Sequence, residues 1–359
     1  MKYIIVSPSL DPTQNVSGIS AVTQFIIENN KSIKYIHFEL GKKDNEKGGI
    51  NRIYTILKNI ISWNKLLNNN PDAYIHYNFP LSKSSILRDP IFMWIARKKG
   101  HKIVIHLHGG LFLTAPRIPF YLNIILKRIF QWNVTFIVLS KIEQQLIKNR
   151  YDCKNIEILP NCINLNEAKK YNKTINNKTN NPLIIGYLGR IVNTKGMDYL
   201  LKACKKLKES NIPFILKLAG KEDGNTNYIE SFKKILGNQF IYAGVVSGYQ
   251  KDIFLKSLDL FILPTFFEGL PMSLLECMSY GVVPITTNVG SINEVVEDKV
   301  NGIFIKVKDS DSIYEKITYI QNNRNLIENL SIKAKETIFQ KFSPIKYIEN
   351  LNSIYKQLK

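Results

Sequence analysis

Short runs rich in β-branched and aromatic residues alternate with helical stretches twice along this chain, and a polar segment separates the two series. In the first series KYIIVS, SIKYIHFEL, AYIHYN, KIVIHLH, TFIVLS and IEILP are spaced by stretches such as GISAVTQFIIENN and SKIEQQLIKNR. In the second, PLIIGYLG, FILKLAG, QFIYAG, LDLFILP, VVPITT and GIFIKV repeat the pattern. Alternation of this kind predicts mostly parallel sheets covered by helices. The segment between them, Lys169 to Pro182, is polar and closed by a proline, and it reads as a linker. A chain of 359 residues exceeds one ordinary core. Two α/β domains are therefore expected, facing each other across a cleft, with a ligand at the carboxyl ends of the strands.

Two carboxylates then stand out. Glu268 and Glu276 bracket the start of a helix expected after the buried-strand run LDLFILP and a Gly-Leu-Pro turn. Pro271 suits the first helical position, where its missing N–H costs nothing. The N–H groups of that first turn can hold an anion. Carboxylates accept hydrogen bonds and do not bind phosphate, so their expected targets are hydroxyls, on a ribose and on a sugar. Arg190 follows the strand GYLG, and Lys195 precedes Gly196 at a helix start, so both cations are expected on a βα loop. Arg grips a diphosphate bidentately, while Lys supplies a mobile point charge. No GxxxxGK[ST] and no GxGxxG occurs, which removes the most direct support for ATP or NAD chemistry.

The stretch EGLPMSLLECMSYGVVPITTNVGSINEVV resembles the paired-glutamate signature of the retaining GT-B glycosyltransferases of the GT4-type family, glycosyl transferases group 1. Upstream, YLGRIVNTKGMDYLLKA resembles the family's Gly-Arg, Lys-Gly segment, and the two lie in the family's order, about eighty residues apart. The resemblance implies the GT-B fold, two Rossmann-like domains, here 1–165 and 183–340, joined by 166–182, with 341–359 crossing back to the first. It implies sugar transfer from a nucleotide diphosphate sugar, a UDP-sugar, to a glycan or lipid-linked acceptor in capsule, O-antigen or similar synthesis. Glu268 would orient the donor sugar, Glu276 would hold the ribose, and Arg190 and Lys195 would face the diphosphate. By the same resemblance His108, in IHLHGG, stands beside the sugar, and Gly18, in the loop NVSGIS, lets backbone approach the donor. Gly269, Leu270, Met272, Ser273, Gly244 and Val245 complete the implied donor site. Asn161 matches a Pro-Asn-Gly turn in which Cys162 replaces the glycine, and a hinge turn is expected there. An epimerase of the same fold is the nearest other enzyme, but epimerases lack this combination of segments.

Composition bounds the rest. The net charge of +20 and the pI near 9.6 admit a polyanion-binding protein, yet no RNA-binding signature or zinc knuckle supports nucleic acid as a partner. Four scattered cysteines, Cys153, Cys162, Cys204 and Cys277, fit reduced thiols rather than a disulfide frame. The opening MKYIIVSPSLDP is too short an apolar run for a signal peptide, so a cytosolic or peripheral protein is expected. His106 and His108 share a strand face but make a poor metal site without further ligands. Asp309-Ser310-Asp311 has the Asp-x-Asp form used to hold divalent metals, but before SIYEKITYI it reads as a helix cap. No metal and no cofactor is expected, with Arg190 and Lys195 as counter-charge. Residues 1–165 carry 22 Lys and Arg against 10 Asp and Glu, a net of +12. Basic and apolar residues interleave in ILRDPIFMWIARKKGHK, which holds Arg97, Lys98 and Lys99, and in RIPFYLNIILKRIFQW, so an anionic membrane surface is an expected partner.

Overall fold

The computed structural model describes every residue except 12, 16, 42–49, 110, 116, 175–180, 224, 225 and 359, and leaves aside also the side chains of 50, 51, 111 and 114. The chain divides into two compact units, Met1–Asn161 with Ile345–Lys359, and Cys162–Pro344. The turn at Asn161 and Cys162 is thus where one unit gives way to the next. Helix Asn166–Lys170 occupies the start of the stretch read as linker, and residues 175–180 of that stretch lie outside the described residues. All twelve β-rich runs form strands.

In the first unit the strands are β1 (Lys2–Ser7), β2 (Lys34–Glu39), β3 (Tyr74–Phe79), β4 (Ile103–Leu107), β5 (Thr135–Val138) and β6 (Ile156–Ile158). They form one parallel sheet ordered β2-β1-β3-β4-β5-β6. Successive side chains of a strand point to opposite faces, and a sheet covered on both sides buries both sets. Ile4 and Val6 accordingly join Ile75, Tyr77, Ile105 and Phe136 in a core closed by Trp63, Phe92, Met93, Leu122 and Ile147 from helices. Tyr3 faces the other way, against the terminal helix Pro344–Gln357, whose Tyr355 ring stacks on it at 4.0 Å. Asn30 Nδ2 also donates to Asn352 Oδ1 of that helix, at 2.8 Å.

In the second unit the strands are β7 (Leu183–Leu188), β8 (Phe214–Ala219), β9 (Phe240–Tyr242), β10 (Leu260–Leu263), β11 (Val283–Thr287) and β12 (Ile303–Ile305). Their parallel order is β12-β11-β10-β7-β8-β9, the arrangement of a dinucleotide-type fold, in which the direction of winding reverses between the first and fourth strands, here β7 and β10. Leu260 to Leu263 are wholly buried, which is why this strand reads as a continuous apolar run rather than an alternating one. Among the described residues no helix is long and apolar enough to cross a membrane.

Candidate active site

The carboxyl ends of β7 and β10, at the reversal point, are where an open α/β sheet binds its ligand. Both loops leaving those ends are shaped by glycines. A Cβ on Gly220 would lie 1.8 Å from the Gly189 carbonyl oxygen, so β7 and β8 end in a crossing that only glycine permits. Arg190 follows, exposed, and its carbonyl accepts the Tyr187 hydroxyl at 2.6 Å. Lys195 closes the 3-10 turn Asn193–Lys195, and Gly196 then adopts φ +79° with its Cα against the β10 exit. A Cβ there would meet the Pro264 carbonyl oxygen at 2.1 Å. Phe266 N–H donates to Thr194 O at 3.0 Å, which ties the two loops backbone to backbone. Lys195 Nζ is thereby brought onto Glu268 Oε1 as an ion pair, both side chains mostly buried.

Glu268 is held from behind as well. Thr287 Oγ1, at the end of β11, donates to Thr265 O at 2.7 Å, and Ser291 N–H donates to Gly269 O at 3.1 Å. Gly269 and Leu270 are buried, so their backbone rather than the Leu270 side chain is what the loop can offer a ligand. Pro271 stands one position earlier than the sequence suggested. Its ψ of 124° is extended, so it is the cap residue of helix Met272–Ser279 and Met272 is the first helical residue. The carbonyl of Pro271 accepts Leu274 N–H at 3.2 Å, a contact that needs no N–H on the proline. Half-buried Met272 and Ser273 thus supply the first helical N–H groups, which carry the positive end of the helix dipole.

Glu276 lies on the second turn of the same helix and pairs with Lys251 Nζ at 2.6 Å, with side-chain exposures of 18% and 31%. Lys251 was not anticipated. It lies on helix Gly248–Lys256, just after Gly244 and Val245, and nothing in its local sequence marks it among the many lysines. Gly244, at φ +71°, accepts Gly220 N–H at 2.7 Å, and Val245 is exposed. Each of the two signature glutamates therefore carries its own lysine. The arrangement sets carboxylate oxygens, which accept hydrogen bonds, side by side with cations.

The first unit holds the remaining candidates. Gly18 is not in a loop: it is the first residue of helix Gly18–Asn29, because Ser17 caps that helix by accepting Ser20 N–H at 3.2 Å. His108 follows β4 and its Nε2 lies 2.6 Å from Asn78 Oδ1. Asn78 Nδ2 donates to Val6 O at 2.9 Å, so its oxygen is the atom left for the histidine, and His108 carries its proton on Nε2. Behind it the His106 ring is 4.1 Å away, and His106 Nδ1 lies 3.2 Å from His76 Nε2, while the other ring nitrogen of His76, Nδ1, lies 2.6 Å from Tyr355 Oη. Burial, and then the neighbouring His76, hold His108 down to about 3. It is neutral at pH 7 and acts as a hydrogen-bonding group rather than a cation. His76 was missed, because cross-strand pairing of Asn78 with His106, not sequence proximity, assembles the row.

Asp309 caps helix Ser310–Asn322, its Oδ1 accepting Asp311 and Ser312 N–H at 2.9 Å each. Asp311 pairs with Lys206. The four cysteines are buried thiols, and burial pushes Cys162 well above the usual thiol range, which makes it a poor nucleophile.

Residues 168–337 match the family described as glycosyl transferases group 1. An uncharacterized glycosyltransferase of Methanocaldococcus jannaschii is 27% identical over 198 residues, which cover 54% of this chain and half of that protein. The UDP-Gal:alpha-D-GlcNAc-diphosphoundecaprenol alpha-1,3-galactosyltransferase of Escherichia coli is 26% identical over 322 residues, 83% of this chain and 79% of that protein. Among solved structures, the sucrose-phosphate synthase of Thermosynechococcus elongatus superposes with a TM-score of 0.80 at 15% identity, covering 99% and 98% of the two chains, a likeness of fold.

Proposed function

Because the chain belongs to the GT-B glycosyltransferases, we propose that it moves a sugar from a UDP-sugar to a lipid-linked or glycan acceptor in cell-surface polysaccharide synthesis, retaining the anomeric configuration and using no metal ion. The observation that carries this reading is the pair of glutamates at the β7/β10 reversal, each ion-paired to a lysine. The Escherichia coli relative, whose name states a UDP-sugar donor and a diphosphoundecaprenol-linked acceptor, supports donor and acceptor class.

The step breaks the bond between the anomeric carbon and the departing phosphate oxygen, and forms one from that carbon to the acceptor hydroxyl oxygen. The acceptor proton passes to the departing phosphate oxygen on the same face, so the configuration is kept without a protein nucleophile. Negative charge grows on the diphosphate as the bond opens. Arg190, Lys195 and the N–H groups of Met272 and Ser273 are the donors that would stabilise it, and preorganised donors of this kind commonly supply the largest part of a rate enhancement. Glu268 orients the donor sugar, Glu276 holds the ribose hydroxyls, and neutral His108 hydrogen-bonds a sugar hydroxyl.

Incubation with a panel of nucleotide sugars and an undecaprenyl-diphosphate sugar tests this. UDP should be released with one or few donors, and the product should show the donor's anomeric configuration by NMR. An inverted product would remove the retaining step, and no nucleotide binding with any donor would remove the whole reading.

A further inference from the structure

Three helices of the first unit turn apolar side chains outward, where a surface helix is ordinarily polar. On helix Ile50–Asn68, Ile53, Tyr54, Leu57 and Ile61 are between 55% and 71% exposed. On helix Lys83–Lys98, Leu87, Ile91 and Trp94 recur at helical spacing and are 47%, 45% and 52% exposed. On helix Phe120–Phe130, Phe120 is 80% exposed and Tyr121 and Ile124 follow it outward. Single exposed apolar residues are unremarked on protein surfaces, but a run of them on adjoining elements marks an interaction site.

These helices adjoin. Trp63 Nε1 of the first donates to Phe92 O of the second at 2.9 Å, and the Lys83 ammonium of the second lies 6.0 Å from the Tyr121 ring of the third. The same pattern separates what is packed from what is displayed: Ile86, Phe92, Met93 and Ala96 enter the core, so the second helix keeps one apolar face inside and shows another.

The exposed charges that the described residues of these three helices place around this face are of one sign. Lys58 and Lys65 accompany the first row, Lys83 and Lys98 stand at the two ends of the second, and Lys127 and Arg128 follow the third, all exposed. Lys98 lies over the Trp94 ring at 5.7 Å. The acidic complement of the three helices is Asp89, which is 1% exposed and paired with Arg88. Of the basic triplet singled out in the sequence, Arg97 stacks on Trp132 at 4.5 Å and Lys99 reaches Asn68 Oδ1 at 2.7 Å. Lys98 is the member that borders the apolar row.

We propose that this face docks on an anionic lipid bilayer. Apolar rings and branched side chains enter the interface between headgroups and acyl chains, while the flanking lysine and arginine stems reach back to anionic headgroups. A protein partner of mixed charge would leave these cations unmatched, whereas a negatively charged surface meets all of them at once.

The full chain is sedimented with vesicles of phosphatidylcholine alone and of phosphatidylcholine mixed with phosphatidylglycerol. Binding should favour the anionic vesicles, weaken as salt rises, and bring a blue shift of Trp94 emission. Combining Leu57→Ser, Trp94→Ser and Phe120→Ser should lower partitioning at least about tenfold, and combining Lys83→Gln, Lys98→Gln, Lys127→Gln and Arg128→Gln should abolish the anionic preference. All seven side chains are exposed, so the unfolding midpoint should stay in place in both variants. Equal recovery with the two vesicle types, or no binding to either, would overturn the proposal. So would a concentration-dependent dimer that the serine substitutions abolish, since the face would then join two copies of this chain. The vesicle measurement involves no sugar chemistry, so it stands or falls apart from the proposed transfer.

Discussion

Gly290 lies against the backbone of Glu268 so closely that a Cβ on it would sit 1.8 Å from the Glu268 carbonyl oxygen. The glycine also holds φ +57°. The position of one signature carboxylate is therefore set by a residue 22 places later, in the turn after β11. Gly290→Ala should displace the Glu268 loop, lower stability by about 1 to 3 kcal/mol and cut transfer at least about tenfold. Gly100→Ala is the control, since Gly100 also has a positive φ, +83°, with no atom within 4 Å of its would-be Cβ. A positive φ is common to both positions, and the clash is not. If the two variants have the same activity and the same unfolding midpoint, the contact with Glu268 is unimportant.

Glu276 and Lys251 form the second carboxylate pair. Glu276→Ala should weaken UDP binding by about 10- to 100-fold, the loss of a hydrogen bond to a charged group. Lys251→Ala should cost less, about tenfold or below, because the pair is partly in water and the carboxylate remains. Calorimetric titration with UDP checks both. An undiminished affinity in Glu276→Ala would remove its contact with the ribose.

The proposed metal independence would rest on Arg190, Lys195 and the start of the Met272 helix serving as counter-charge. Excess EDTA should leave the rate essentially intact, while Arg190→Ala and Lys195→Ala should each lower kcat by about 100-fold or more. Loss of activity in EDTA with recovery on adding manganese would show that a metal ion takes part.

The histidine row predicts acid sensitivity. Burial lowers His76 and His108 to about 3 and His106 well below its ordinary value. Between about pH 6.5 and 3 the unfolded chain binds protons at these positions that the folded protein does not, so stability falls as pH falls. Each such histidine removes up to about 1.4 kcal/mol per pH unit in that window. Asp89, raised to about 6 by burial, acts in the opposite direction as it gains its proton on acidification, but it is one group against three. The urea midpoint should therefore drop between pH 6.5 and pH 5. A midpoint that stays level or rises across this range would mean that the histidines take up protons in the folded protein.

The strands, their alternation with helices and the presence of two α/β units were legible in the sequence because each depends on local composition and on the period of apolar residues. The paired glutamates, Arg190 and Lys195 were legible as candidates for the same reason: strand, turn and helix start follow one another within a few residues. The exit from β10 differs from the sequence pattern by one position at Pro271, since a proline suits the cap as well as the first turn and only the backbone angle separates them. Gly18 likewise opens a helix rather than lying in a loop, because Ser17 caps that helix.

Lys251 beside Glu276, His76 behind His106, and Gly290 beneath Glu268 were not legible, because each is brought in by strand order and sheet packing over 25 to 30 residues, or 22 for the glycine. The outward rows on three helices had the same limit. A basic and apolar stretch can bury either set of side chains, and only packing against Trp63, Phe92 and their neighbours decides which apolar residues remain outside. Sequence by itself determined which elements form and which residues of the βα loops stand as candidates for chemistry. The tertiary structure decided which side chains meet, because the partner that neutralises, orients or covers a group is chosen by sheet order and close packing rather than by distance along the chain.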